Sequence, residues 1–235
     1  MTRATAIDAL DWTAIARDLE ETGVAVTGPL LAEAEARDLV ALYPDKDRFR
    51  NRVVMERHGY GRGEYKYFAY PLPPPVAALR QAAYPRLAPI ADLWNERLRD
   101  ARRYPATLDG YLAECHAAGQ VKPTPLLLKY GPDDFNCLHQ DLYGDMVFPF
   151  QMVLLLSRPG VDFTGGEFTL VEQRPRVQSR AEVVPLGHLQ AAIFAVRHRP
   201  ARGTRGFHRV NLRHGVSRVR SGERFTAGII FHDAR

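Results

Sequence analysis

Cysteine is nearly absent from this chain. Cys115 and Cys137 are the only two among 235 residues, and they do not form a close-spaced pair. That excludes a disulfide scaffold and fits a reducing compartment, so a cytoplasmic location is expected. Long apolar runs are missing as well. The longest, Met152 to Leu156 and Ala191 to Val196, fall far short of the roughly 20 residues a bilayer-spanning helix needs. The first residues carry no apolar stretch of the secretory kind, so neither a membrane span nor a signal segment is expected. Lysine is scarce: 28 of the 32 basic residues are arginine. The net charge is +5 and the sequence pI near 9.4. Arginine's planar fork suits phosphate, but a bias in composition is the preferred explanation of the charge, since net charge is only a footprint. What is plentiful is ordinary: 46% hydrophobic and 25% charged residues, with no repeat and no low-complexity block. A chain of this length buries a sizeable core.

The pattern along the chain is helical first and β-type afterwards. Asp8 or Asp11 can cap a helix carrying Leu10, Ile15 and Leu19 on one stripe and ending before Gly23. Val24 to Thr27 is a short β-type run, and Pro29 is expected to open a helix through about Leu42. Leu79 to Arg102 has amphipathic helical spacing, with Pro85 and Pro89 expected to break or kink its start. Leu108 to Ala118 is a shorter helix ending at Gly119. Between these, Arg48 to Pro75 interleaves arginines with tyrosines and closes on three prolines, which predicts a loop or hairpin. From Thr124 onward the runs Pro125–Tyr130, Pro149–Ser157, Glu167–Val171, Gln190–Val196, Phe207–Arg213 and Arg224–His232 are strand-like. In the last of these, Phe225, Ala227, Ile229 and Phe231 share one face, which could pack on the helices. Arg224, Thr226, Gly228 and Ile230 share the other, which could line a cavity. Helices followed by strands predict an α+β fold, with a β-sandwich or barrel braced by N-terminal helices.

Two residues apart in extended chain, His139 and Asp141 project from the same face and can reach one ion. Two imidazoles and one carboxylate make a three-donor face for ferrous iron with the opposite positions open. The second imidazole must come from another strand; His188, His198, His208, His214 and His232 are the candidates. His214 precedes the turn Ser221-Gly222-Glu223 and Arg224 follows it, so a hairpin there would bring both into one cavity, and His214 is preferred over His208. Arg224 can then hold a carboxylate by two points, with the Thr226 hydroxyl beside it. Cys137 shares the alternation of His139 and Asp141. Zinc sites are usually closed four-ligand sets and no partner cysteine is near, so a small buried core residue is expected there.

The stretch Lys129-Tyr130-Gly-Pro-Asp-Asp-Phe-Asn-Cys-Leu-His139-Gln-Asp141 resembles the DNA-dealkylating branch of the Fe(II)/2-oxoglutarate-dependent dioxygenases. The distal half, His214-Gly-Val-Ser-Arg-Val-Arg-Ser-Gly-Glu-Arg224, is more similar to the prolyl-hydroxylase branch, as is Gly165-Gly166-Glu167-Phe168. The whole C-terminal pattern, ending Gly-Ile-Ile-Phe-His-Asp-Ala, resembles a bacterial family of oxygenases described as acting on alkylated DNA.

That resemblance implies a double-stranded β-helix (jelly-roll) core over residues 124–235, within a single domain whose first 123 residues are mostly helical support and substrate lid. It implies iron(II) on His139, Asp141 and His214, and 2-oxoglutarate held by Arg224, Thr226 and Tyr130, with dioxygen as the second cosubstrate. An asparagine that assists two residues before the tyrosine in the dealkylating branch is replaced by Leu128. The implied reaction couples decarboxylation of 2-oxoglutarate to hydroxylation of a substrate C–H; an N-alkyl group so hydroxylated leaves as an aldehyde. Basic residues interleaved with aromatics suit phosphates and stacked bases, which makes Arg50, Arg52, Arg57, Tyr65 and Tyr67 the expected substrate lid, the alternative being an ordinary exposed loop whose tyrosines fold back onto the core; the resemblance implies alkylated DNA or RNA as the partner. The alternatives are hydroxylation of a protein or amino-acid side chain of the prolyl type, and a non-catalytic metal- or nucleic-acid-binding module.

Overall fold

The computed structural model describes residues 3–174 and 177–235. Five helices and fifteen strands alternate along it. The helices are α1 (Arg3–Asp8), α2 (Trp12–Thr22), α3 (Glu33–Ala41), α4 (Pro74–Arg97) and α5 (Leu108–Ala117). The strands of the first half are β1 (Val24–Pro29), β2 (Phe49–Val54), β3 (Gly61–Arg62), β4 (Glu64–Phe68), β5 (Leu126–Tyr130) and β6 (Phe135–His139). Those of the second half are β7 (Phe150–Leu155), β8 (Phe163–Gly165), β9 (Phe168–Gln173), β10 (Arg180–Val184), β11 (Gln190–Ala195), β12 (His198–Gly203), β13 (Gly206–Val216), β14 (Val219–Gly222) and β15 (Arg224–Ile230).

All the pairings between these strands are antiparallel; thirteen of the strands form two large sheets, and β14 and β8 form a separate two-stranded one. One has seven strands in the order β1-β11-β7-β15-β5-β4-β2. The other has the order β10-β9-β13-β6-β3, with β12 also paired to β13. A cavity lies between residues of both. The outer face of the seven-stranded sheet is covered by helices. Leu79, Ala83, Tyr84, Leu87 and Trp94 of α4 share one core with Phe148, Phe150, Ala227, Ile229 and Phe231. Each fully buried side chain of this kind contributes roughly 1.5–3 kcal/mol of burial free energy. The expected two-faced strand is thus present: the odd residues of β15 pack on helices, and Arg224, Thr226 and Gly228 line the cavity.

The structure departs from the sequence expectations in several places, each with a physical reason. The expected helix is there, capped by Asp11 accepting from the Ala14 amide at 2.9 Å, but a short α1 precedes it and Leu10 lies between the two. Gly23 ends it in the left-handed region at φ 85°. Pro29 closes β1, opposite Gln190, and α3 begins only at Glu33. The long helix starts at Pro74 and runs unbroken through Pro85 and Pro89. Both prolines are exposed, so the helical carbonyls they leave without a donor, four residues back, lie on the water side.

The boundary at residue 124 does not separate helix from sheet, since β1, β2 and β4 all extend the seven-stranded sheet. The Arg48–Pro75 segment is a paired hairpin, β2 with β4, and β4 is zipped onto β5. Ser221-Gly222-Glu223 is not a hairpin turn. Here β14 pairs with β8, and the chain then crosses to the other sheet at β15. Cys137 is exposed rather than a buried core residue; both cysteines are free. No helix among the described residues is long and apolar enough to cross a membrane.

Candidate active site

Pairing of β13 with β6 sets His214 and His139 directly opposite one another. Their rings lie 4.3 Å apart, centroid to centroid. Asp141 follows two residues past His139, where the chain leaves β6. Its Oδ1 is 3.4 Å from His139 Nε2 and its Oδ2 3.3 Å from His214 Nε2. One donor atom from each of the three side chains falls within 4.8 Å of the others, the single such group of His, Cys, Asp or Glu among the described residues. The other histidines are elsewhere. His208 is exposed on β13, His188 lines a separate depression with Glu223, and His232 is buried, accepting from the Phe148 amide through Nδ1 at 3.2 Å.

Neighbours orient these donors. His139 Nδ1 lies 2.8 Å from the Cys137 carbonyl, which can only accept, so Nδ1 carries the proton and Nε2 faces the cluster. Tyr143 donates its hydroxyl to Asp141 Oδ1 at 2.7 Å. Burial works against the charge on Asp141, but the two facing histidines outweigh it and hold the carboxyl well below its usual range. Burial lowers the His214 pKa. At His139 burial opposes the charge too, yet contact with Asp141 prevails and raises the pKa. A carboxylate with two imidazoles turned towards it is a donor set that suits ferrous iron.

The cluster opens into a cavity of about 510 Å³. At its other side stands Arg224, only 2% exposed. Its Nε and Nη1 are buried without a hydrogen-bond partner. Burial pushes its pKa down to about 10. The guanidinium sits 5.5 Å from the Tyr130 ring centroid and 5.9 Å from that of Phe163; among the described residues no carboxylate forms an ion pair with it, and Glu167 acts on it only at longer range. A buried cation left this way is costly unless an anion joins it. The Tyr130 hydroxyl is also buried and unpartnered, and burial raises its pKa to about 12. Thr226 lies on the same face of β15 at 1% exposure, lining the cavity. Gly166 is required here. It holds φ +64°, and a Cβ on it would come within 2.9 Å of Arg224 Cδ and 2.8 Å of Val219 Cγ2.

Of the five residues expected in the lid, only Tyr65 lines the cavity. Tyr67 is 6% exposed and stands edge-on to Tyr65 and Tyr143. Arg50 lies over the Tyr67 ring and donates to the Pro123 carbonyl at 2.7 Å. Arg52 pairs with Glu64, and Arg57 is exposed on the 3-10 turn Met55–His58. Other cavity residues escaped the sequence reading. Gln151, with an unpartnered buried amide, and Tyr143 are two. Tyr143 continues the alternation of His139 and Asp141 and could have been found by it. Gln140 was read only as part of a motif, yet its amide donates to the Arg197 and Leu212 carbonyls at 2.9 and 2.8 Å, fastening β6 to the β12–β13 hairpin.

Comparison with known proteins places this architecture. An uncharacterized protein of Mycobacterium tuberculosis is 52% identical over 190 residues, covering 79% of this chain and 82% of its own. A Pseudomonas putida prolyl-4-hydroxylase superposes with a TM-score of 0.53 at 16% identity, over 95% of this chain and 99% of its own. An oxidoreductase of the 2OG-Fe(II) oxygenase family from Burkholderia pseudomallei does so with a TM-score of 0.51 at 16% identity, over 95% and 92%. At such identities the two structures speak for the fold. A sequence profile for the Oxygenase-NA family, described as an oxygenase catalysing oxidative methylation of damaged DNA, matches residues 63–234. That span takes in both sides of the cavity, from His139, Asp141 and His214 to Arg224, and the chain belongs to this family of oxygenases.

Proposed function

We propose that this oxygenase depends on Fe(II) and 2-oxoglutarate, acts on alkylated nucleic acid in the cytoplasm, and releases the alkyl group oxidatively. The observation that carries the cosubstrate is Arg224: a buried guanidinium with two unpartnered nitrogens and no ion-pair partner among the described residues, lining one cavity with two imidazoles and a carboxylate. A short dicarboxylate whose keto-acid end chelates metal satisfies both needs. We read the two facing sheets as the double-stranded β-helix, in a single domain.

His139, Asp141 and His214 would hold the iron, which supplies oxygen activation when bound. The chain's own residues do the rest. The Cys137 carbonyl fixes the His139 tautomer, and Tyr143 anchors one oxygen of Asp141. Arg224, with the hydroxyls of Thr226 and Tyr130, takes the far carboxylate of 2-oxoglutarate. Leu128, Val153, Phe168 and Phe194 make much of the cavity wall apolar, which excludes water from a reactive centre. Within the segment 48–75 we assign substrate contact to Tyr65 and to Tyr60, which also lines the cavity and is 49% exposed. Arg50 and Arg52 are engaged elsewhere.

The family description supports damaged DNA as the substrate. The prolyl-hydroxylase fold neighbours keep protein or amino-acid side-chain hydroxylation as the second reading. Two measurements decide. Anaerobic iron plus 2-oxoglutarate should give the weak visible charge-transfer band of the chelate, and air should then yield succinate; a non-catalytic binding module gives neither. Succinate formation stimulated by methylated oligonucleotide, and not by proline-rich peptide, is the expected outcome; the reverse result replaces the nucleic-acid reading with the second one.

A further inference from the structure

More basic than the segment 48–75, which also carries Glu56 and Glu64, is the hairpin of β12 and β13. Residues 197–213 contain six arginines and two histidines and no acidic residue. Their orientation sorts them. Arg199 turns inward, 5% exposed, and is held by Glu172 at 2.6 Å and by the Glu20 carbonyl at 2.8 Å. The other five, Arg197, Arg202, Arg205, Arg209 and Arg213, are exposed. Of these, among the described residues, only Arg209 approaches a carboxylate in an ion pair, Asp100 at 3.7 Å. An exposed aromatic ring stands among them: Phe207, with Arg97 lying 4.8 Å over it. His198, beside Arg197 and paired across strands with Asn211, is pushed down to about 4, by burial first and then by Arg209 and Arg197.

The hairpin is joined to the site at two points. Strand β13 carries His214 on its inner face. Gln140, between the other two metal-site residues, lines the cavity and bonds both hairpin strands near their root. Eight residues separate His214 from the hairpin tip at Gly206, a reach of about 26 Å in extended chain. That equals about eight base pairs of duplex at ~3.4 Å each.

Resting on the nucleic-acid reading above, we infer that the β12–β13 hairpin is the backbone-binding arm of this enzyme: its exposed arginines grip phosphates along one strand while the modified base enters the cavity beside Gln140. Arginine forks suit phosphate oxygens and hold a strand in register without reading its sequence. DNA and RNA share this phosphate chemistry, and the experiment separates them.

The test is equilibrium binding of fluorescein-labelled single-stranded DNA, duplex DNA and RNA by fluorescence anisotropy across a salt series. Three full-length proteins are compared: unaltered, R202Q/R205Q/R209Q, and a charge-matched control, R37Q/R86Q/R158Q, whose arginines lie outside the hairpin. Each phosphate contact adds about 0.7–0.9 to the slope of log affinity against log salt. The hairpin triple should therefore lose about 2–3 from that slope and bind at least tenfold more weakly at low salt, whereas the control should track the unaltered protein. Circular dichroism and thermal melting check that all three are folded. Equal weakening by both triples overturns the hairpin assignment, as does an unchanged slope in the hairpin triple while the unaltered protein binds; both outcomes leave the nucleic-acid reading standing. No binding by the unaltered protein overturns that reading and the inference together. Binding of fluorescein-labelled poly-glutamate by a protein that ignores all three nucleic acids assigns the hairpin to an acidic protein instead.

Discussion

Replacing Arg224 with methionine should make the ligand-free protein more stable while removing its response to 2-oxoglutarate. The guanidinium is 2% exposed and two of its nitrogens have no partner. Burial lowers its pKa to about 10, equivalent to about 3 kcal/mol against the charged form. Methionine fills a similar length without a charge to desolvate. Some of the cost is already relieved by relaxation around the side chain, so the expected gain is about 1–3 kcal/mol. For a domain of this size each kcal/mol shifts the melting temperature by about 2–4 °C. The assay is a thermal melt with and without 2-oxoglutarate in the presence of anaerobic Fe(II). At a hundred times its Kd, 2-oxoglutarate should stabilise the unaltered protein by about 2.7 kcal/mol and the Arg224→Met variant by nothing measurable. A variant that melts below the unaltered protein and still gains stability from 2-oxoglutarate refutes the assignment of Arg224 as an unpaired cation awaiting a carboxylate.

Other outcomes follow from particular contacts. His214→Ala should abolish tight Fe(II) binding, measured by equilibrium titration, whereas His208→Ala, at an exposed position, should bind the metal normally. Gly166→Ala should cost about 1–3 kcal/mol for a side chain at positive φ. It should also raise the KM for 2-oxoglutarate, because the new Cβ displaces Arg224. Glu172 gives a pH dependence. Burial opposes its charge, but Arg199 and then Arg174 outweigh it and keep its pKa below the ordinary value. Its contribution is therefore complete above the unfolded-state value of about 4.3 and is lost as pH falls through the lower folded value. Melting temperature should drop more steeply below about pH 4.3 in the unaltered protein than in Glu172→Gln; parallel curves remove Glu172 as the source.

Much of the centre was legible because it depends on short-range periodicity. Alternation along β15 separated Arg224 and Thr226 from the helix-facing residues, and the two-residue spacing of His139 and Asp141 put both donors on one side. What sequence could not give was the pairing partner of each strand. The turn at Ser221 looks like a hairpin because Gly222 at φ 77° suits one, yet β15 finds better burial between β5 and β7 in the other sheet. Strand β12 was missed because a run of arginines broken by Pro200 reads as loop; only its pairing with β13 makes it a strand. The segment 48–75 drew attention for its arginines, and the structure spends Arg50 and Arg52 on local partners.

The proposed iron ligands and the proposed anchor for the cosubstrate's tail come from different layers of the molecule. His139 and His214 hang from one sheet, whereas Arg224, Thr226 and Tyr130 hang from the other. A small dicarboxylate bound to both is then a rivet through the sandwich, and its departure unfastens the layers. Amide hydrogen exchange at the cavity-lining strands should slow together, on both walls, when metal and 2-oxoglutarate are added.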